Sequence, residues 1–327
     1  MGIGNNVEKL SFVIPCYRSE KTIETVVSQI DAVLKASEYA SKYIYEIILV
    51  NDNSPDDVWS VIDAMCAVRT DVIALSLAKN FGQHAALMAG YHRCSGDYVF
   101  TMDDDGQTPA EEIFTLLDKL HEGFDVVYGQ YEDRKDNGFR KLGSKANNFM
   151  MESIVGKPKH VRLTSFFVAR KYVIDEICRY TNPYPYIWGL IIRTTNSIAN
   201  VTIQHRRRTD GSSGYTLLKL ISLWMNGFTA FSVKPLRIAT GFGLVVSVIG
   251  FLFTIFTIVY KIIYPETAAG YSSMMSAILI IGGVIMILLG MLGEYVGRIY
   301  ISMNESPQFV VKDMRNVQPN AGESINE

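Results

Sequence analysis

The sequence predicts an α/β domain on a mostly parallel sheet, followed by interfacial helices and a two-helix transmembrane hairpin. Two observations carry this. Between Leu10 and His205, short apolar runs of strand length alternate with segments of helical period, the pattern of a parallel sheet with right-handed crossovers. Hydrophobic residues make up 48% of the 327, and they accumulate after Pro235 in two uncharged runs, Ile238 to Tyr260 and Tyr271 to Gly293.

Leu10 to Pro15 reads as a buried strand that Pro15 stops, and Thr22 to Ala36 places apolar residues at helical spacing. Tyr45 to Val50 is a second strand. It ends in Asn51-Asp52-Asn53-Ser54-Pro55, a turn expected to cap the following helix. Val72 to Leu77, Asp97 to Met102 and Phe124 to Gly129 read as further strands, with a helix over Phe81 to His92 and a last strand over Ile198 to His205. Cys16, Cys66, Cys94 and Cys178 form no CxxC pair or His/Cys cluster, so reduced core thiols are expected rather than zinc or disulfides. A net charge of -2 gives no reason to expect nucleic acid as a partner. The polar stretch Met1 to Lys9 lacks an apolar signal-peptide region.

The chemistry gathers at Asp103-Asp104-Asp105-Gly106-Gln107. A strand delivers three successive carboxylates to its C-terminal end, where open α/β sheets bind ligands. Adjacent carboxylates repel unless a cation is near, and Mg²⁺ or Mn²⁺ prefers carboxylate and phosphate oxygens. In an extended turn Asp103 and Asp105 share a face, with Asp104 directed away. From Arg134 to Lys171 the chain turns basic, and Arg206-Arg207-Arg208 adds a second cationic cluster. Acids in one half and bases in the next suit a metal-bound diphosphate flanked by cationic groups.

Tyr215 to Lys234 reads as amphipathic helix in a membrane interface. Each later apolar run exceeds the ~20 residues that cross a bilayer core. Lys219, Lys234 and Arg237 precede the pair, while Arg298, Lys312 and Arg315 follow it. The positive-inside rule then puts both ends of the hairpin, and the α/β domain, on the cytoplasmic side of the membrane. The expected organisation is a catalytic domain over 1–212, interfacial helices over 213–235, spans at about 238–260 and 271–293 within 236–295, and a tail over 296–327. The tail is expected to be disordered after Asn316.

Val13-Ile14-Pro15-Cys16-Tyr17, Val50-Asn51-Asp52-Asn53-Ser54, Asn80-Phe81-Gly82-Gln83-His84, Gly96-Asp97, the Asp103 to Gln107 stretch and Leu292 to Tyr300 occur in this order. In motifs and spacing, from about Leu10 to Phe309, the chain resembles the family-2 glycosyltransferases that act on polyprenyl phosphate. These include dolichol-phosphate mannose synthases, bactoprenol glucosyltransferases and undecaprenyl-phosphate aminoarabinose transferases. The resemblance implies a GT-A fold and inverting transfer of a sugar from a nucleotide-sugar to a lipid phosphate. It implies that Pro15, Tyr17, Asp52, Lys79, Asn80, Asp103 and Asp104 bind the nucleotide-sugar, and that Asp103, Asp105 and Gln107 hold Mg²⁺ or Mn²⁺. It further implies phosphate contacts from Arg134, Arg140, Ser144, Arg208 and Ser213, with Asp103, Asp105, Arg134 and Arg140 as the catalytic set. His84 is open to either a sugar contact or a packing role.

The chain departs from the family pattern in three places. Tyr17-Arg18-Ser19 replaces Tyr-Asn-Glu, Ser213-Gly214-Tyr215 lacks the usual lysine, and Leu163-Thr164-Ser165-Phe166-Phe167 has no carboxylate where relatives often place one. The last is tolerable, because a phosphate monoester with a second pKa of about 6 is already largely ionised at neutral pH. UDP-glucose is the expected donor, with UDP-N-acetylglucosamine next, and undecaprenyl phosphate the expected acceptor. Oligomeric state is left open by the sequence. A processive polysaccharide synthase would carry Gln-x-x-Arg-Trp and more spans, neither of which is present. A non-catalytic scaffold would not need the intact acidic stretch.

Overall fold

The computed structural model describes residues 7–36, 41–131, 152, 157–159, 161–204, 234–264, 270–304 and 306–317. The chain divides into two compact units, one holding an eight-stranded sheet and the other the two long helices.

The strands are β1 (Glu8–Cys16), β2 (Tyr43–Asn51), β3 (Val72–Leu77), β4 (Tyr98–Thr101), β5 (Val126–Tyr131), β6 (Phe167–Arg170), β7 (Ile198–Ile203) and β8 (Val311–Arg315). Their order in the sheet is β7-β5-β6-β4-β1-β2-β3-β8. The central β4-β1-β2-β3 block is parallel throughout, as the alternation of strands and helices requires. Helices α1 (Ile23–Ala36), α2 (Val58–Val68), α3 (Gln83–Tyr91) and α4 (Ile113–His121) supply the crossovers and connections. Helices α5 (Lys171–Cys178) and α6 (Ile187–Thr194) lie between β6 and β7 in the chain. Phe12, Ile14, Ile47, Leu49 and Phe100 are fully buried, and they join Ile23, Val27 and Ile30 of α1 in one apolar cluster. Phe12 and Phe100 stack at 5.0 Å between centroids.

Two strands were not expected from the sequence. β6 runs antiparallel between β4 and β5, so β5 does not extend the parallel block directly. β8 pairs antiparallel with β3, covering an edge whose backbone groups would otherwise lack partners. It is fastened by Arg315, whose Nε donates to Asp63 Oδ1 at 2.5 Å. The Asn316 amide donates to the carbonyls of Cys66, Arg69 and Val72. The stretch just before the expected disordered tail is thus a strand with a clasp.

In the second unit, α7 (Lys234–Ile263) and α8 (Tyr271–Met303) are long and apolar. Among the described residues, Gly243–Tyr260 is the one stretch long and apolar enough by length and composition to cross a membrane, and α8 has a shorter apolar stretch over Ile281–Gly297.

Candidate functional site

Because β1 to β4 are parallel in the central block, Cys16, Asn51, Leu77 and Thr101 all end on one edge of the sheet. The order turns back between β1 and β4, the kind of switch point at which α/β sheets open a crevice. Tyr17, Asp52, Lys79, Asn80 and Asp103 to Asp105 are the residues that follow these four strands. Pro15 is buried within β1, opposite Val50, while Tyr17 is 43% exposed. Lys79 and Asn80 are exposed, and the Lys79 ammonium lies 4.9 Å from the Phe81 ring centroid.

Asp104 joins the two sides of the switch point. Its Oδ2 accepts from the Tyr17 N–H at 2.8 Å, and its carbonyl accepts from Thr22 Oγ1 at 2.6 Å. Burial pushes its carboxyl up to about 6, against the pull of the hydrogen bond from the Tyr17 N–H. It points at the β1 exit, away from Asp103's partners, as the extended-turn argument requires.

Asp52 does something the turn sequence does not announce. The next helix, α2, starts only at Val58, after Asp57, with no side-chain cap; the expected cap from the 51–55 turn is not made. Asn51 Oδ1 instead accepts from the Ser54 N–H at 2.9 Å, closing the turn on itself. The buried Asp52 carboxylate accepts from the Phe81 N–H at 2.7 Å and the Gly82 N–H at 2.8 Å. Burial raises its pKa while these two donors oppose the rise. Gly82 sits at φ 90°, a left-handed-side conformation that favours glycine. The β2 exit thereby fixes the start of α3.

Fixing α3 places Gln83, whose Nε2 donates to Asp103 Oδ1 at 3.1 Å. Asp103 Oδ2 accepts from Ser165 Oγ, on the loop entering β6. Burial raises the Asp103 pKa; the Ser165 hydrogen bond opposes it, and Asp105 adds to it. Asp105 is exposed. Its Oδ1 accepts from the Gln107 N–H at 3.0 Å and its Oδ2 from Gln107 Nε2 at 2.6 Å. Gly106, at φ 73°, folds the chain so that Gln107 returns to Asp105.

Among the described residues, no Lys, Arg or His side chain forms an ion pair with Asp52, Asp103, Asp104 or Asp105. Nor do the described residues hold a group of three or more His, Cys, Asp or Glu side chains that would cage a metal. This donor set fits Mg²⁺ or Mn²⁺ carried with a diphosphate, which needs only one or two protein carboxylates and draws its other ligands from phosphate and water.

His84, one residue beyond Gln83, packs edge-on against Tyr186 and Trp188 at 5.3 and 5.0 Å between centroids. Its Nδ1 is buried without a hydrogen-bond partner, and burial holds the imidazole down to about 4, so it is neutral at pH 7. In the sequence Ser165 stands out only as the place where relatives often have a carboxylate, and no motif marks Tyr186 or Trp188. Arg134, Arg140, Ser144, Arg208 and Ser213 lie outside the described residues, as do Arg206 and Arg207.

Residues 11–178 match Glycosyl transferase family 2, and residues 234–299 match the GtrB C-terminal hairpin. The chain is 31% identical, over 95% of its own length and 95% of theirs, to undecaprenyl-phosphate 4-deoxy-4-formamido-L-arabinose transferases of Yersinia pestis and Yersinia pseudotuberculosis. In fold it is similar to glucosyl-3-phosphoglycerate synthase of Mycobacterium tuberculosis, solved with Mn²⁺ and UDP-glucose. That likeness has a TM-score of 0.51 and 19% identity, over 68% of this chain and 77% of that one. Mannosyl-3-phosphoglycerate synthase of Rubrobacter xylanophilus gives a TM-score of 0.52 at 18% identity, over 70% and 74% of the two chains.

Proposed function

The chain belongs to glycosyl transferase family 2, and on that premise we propose that it transfers a sugar, with inversion, from a UDP-sugar to undecaprenyl phosphate at a cytoplasmic membrane face. The observation that carries the reading is the unpaired carboxylate edge: among the described residues Asp103 and Asp105 stand at the switch point with neutral hydrogen-bond donors and no ion pair. The divalent cation that accompanies a nucleotide diphosphate would lie between these carboxylates and the phosphate oxygens. The relatives named for transfer to undecaprenyl phosphate support the acceptor, and the apolar α7 with its partner α8 supports a membrane hairpin.

In this mechanism Asp103, Asp105 and Gln107 hold Mg²⁺ or Mn²⁺, which lends Lewis-acid stabilisation to the diphosphate leaving group when bound. Asp52 and Asp104 act earlier, by fixing the exits of β1, β2 and β4 and the first turn of α3, so that Asp103 and Gln83 stand in place before any ligand arrives. Pro15, Tyr17, Lys79 and Asn80 form the nucleotide side of the same edge. Arg134, Arg140, Ser144, Arg208 and Ser213 are the proposed phosphate contacts. An oxygen of the lipid phosphate attacks the anomeric carbon and forms the new C–O bond. The bond to the nucleotide breaks as that bond forms, and its electron pair leaves with UDP. The nucleophile arrives already ionised, so the absence of a carboxylate at Ser165 removes nothing essential.

For the donor sugar, UDP-glucose is the first candidate and UDP-N-acetylglucosamine the second. The sugar in the Yersinia relatives' names makes 4-deoxy-4-formamido-L-arabinose, carried on UDP, a third. The test incubates membranes containing the chain with undecaprenyl phosphate and each labelled nucleotide-sugar, with Mg²⁺, with Mn²⁺ and with EDTA. Metal-dependent label in the lipid fraction is expected from one donor. Label appearing in polymer instead, or no label from any donor, would overturn the reading.

A further inference from the structure

The wall beside Asp103 is built by three separate pieces of chain. The first turn of α3 gives Gln83 and His84, the loop entering β6 gives Thr164 and Ser165, and the start of α6 gives Tyr186 and Trp188. Their contacts close into a circuit. Gln83 and Ser165 each donate to Asp103. Trp188 Nε1 donates to the Thr164 carbonyl at 3.1 Å, and the Trp188 ring returns to His84 at 5.0 Å and 87°. Tyr186 completes the trio, 5.6 Å from Trp188 at 84°. Tyr186 and Trp188 are each half-buried.

The imidazole's own surroundings set its tautomer. Nδ1 is sealed without a partner, and a buried N–H lacking an acceptor is rarer and costlier than an under-used acceptor. Nδ1 is therefore the lone-pair nitrogen and Nε2 carries the hydrogen, a neutral donor free for a ligand. An uncharged N–H beside the half-buried Trp188 ring suits a glycosyl ring, which has apolar C–H faces and polar edges.

We infer that His84, Tyr186 and Trp188 form the recognition wall for the uncharged glycosyl ring of the donor, with His84 Nε2–H donating to a sugar oxygen and Trp188 covering a C–H face. The inference rests on the proposed donor site: in a nucleotide-sugar the glycosyl ring is bonded directly to the diphosphate, so the group next to Asp103's phosphate partner is the sugar. These are specificity residues, distinct from the carboxylates that face the leaving group.

The test uses the full chain in detergent, with the variants His84→Phe, His84→Gln and Trp188→Leu. The phenylalanine keeps an aromatic ring in the cluster but removes Nε2–H, and the glutamine restores an amide donor. His84→Phe and Trp188→Leu are expected to raise KM for the nucleotide-sugar at least tenfold. KM for undecaprenyl phosphate and the inhibition constant of UDP stay within twofold, and His84→Gln recovers part of the loss. Calorimetric binding of the three candidate UDP-sugars against bare UDP needs no turnover. An affinity advantage of the sugar that His84→Phe abolishes sustains the wall even if no lipid is glycosylated and the transfer reading fails. An unchanged KM for the nucleotide-sugar, a rise in KM for the lipid instead, or no advantage of any UDP-sugar over UDP in the wild type overturns it.

Discussion

The two edges of the central sheet treat their carboxylates in opposite ways. At the edge where the strands begin, Arg69 lies between Asp31 and Asp71 with N–O distances of 2.6 and 2.5 Å, and Lys9 reaches Glu46 at 2.6 Å. Hydrogen bonding to Asp71 is the main cause holding the Arg69 guanidinium well above its ordinary range. At the edge where the strands end, Asp52, Asp103, Asp104 and Asp105 are served by backbone N–H groups, amides and a hydroxyl. Burial raises the pKa of Asp52, Asp103 and Asp104 there. The first edge is electrostatically closed. The second is shaped and hydrogen-bonded but, among the described residues, carries no ion pair, which is the condition expected of a surface that receives its cation with a ligand.

The largest effect should come from the open edge. Asp105→Asn keeps the shape of the turn but removes the exposed negative charge, and transfer to lipid is expected to fall by about 10²–10³-fold, the scale of losing one electrostatic contact to a leaving group. Labelled-lipid formation at saturating metal measures it, and wild-type rates in the variant would break the comparison. At the closed edge the consequence is stability alone. Arg69→Met strands Asp71, leaves Asp31 with Lys35 and the Tyr45 hydroxyl, and is expected to cost about 2–3 kcal/mol of unfolding free energy. KM and kcat of the folded enzyme should be unchanged, and a selective loss of kcat would show that the two edges are coupled. Asp52→Asn lies between these cases. The amide turns a donor toward Phe81 or Gly82, so a cost of about 1–3 kcal/mol is expected. Proteolysis or hydrogen exchange should localise the damage to the start of α3.

Much of this division was legible in the sequence. Five of the strands in the sheet were marked by their apolar runs before α5, and the acidic stretch was placed correctly at the end of β4. What escaped were features made by distant pairing. β8 reads locally as charged tail, with Lys312, Asp313 and Arg315 in five residues, and it becomes a strand only because the edge of β3 needs a partner. β6 has four residues and is recognisable only between β4 and β5. The cap expected of the 51–55 turn is missing for the same reason: a turn Asp normally serves the helix after it, whereas Asp52 serves a loop 29 and 30 residues away. Ser165 became visible as a partner of Asp103 across 62 residues only once β6 was in place.

The smallest expected effect sharpens the contrast from the side of the positive charge. His84 is the one histidine found beside the Asp103 cluster among the described residues, and burial rather than a carboxylate sets its state, holding it down to about 4. In the unfolded chain the imidazole titrates near 6.5. As pH falls from about 6.5 to about 4, the unfolded chain takes up a proton that the folded chain refuses, so stability drops through that window and levels off below it. Above about 6.5 both states are neutral and the group contributes no slope. Because the ring retains some exposure, the drop should be on the order of 1–2 kcal/mol, less than the full shift implies. Asp104 titrates in part of the same window with the opposite sign, so the measurement is the difference between wild type and His84→Gln, followed by thermal unfolding in detergent at pH 4.5, 5.5 and 6.5. The variant should be the less acid-sensitive of the two. Equal slopes would mean that His84 does accept a proton in the folded chain, and that the open edge can make a cation of its own.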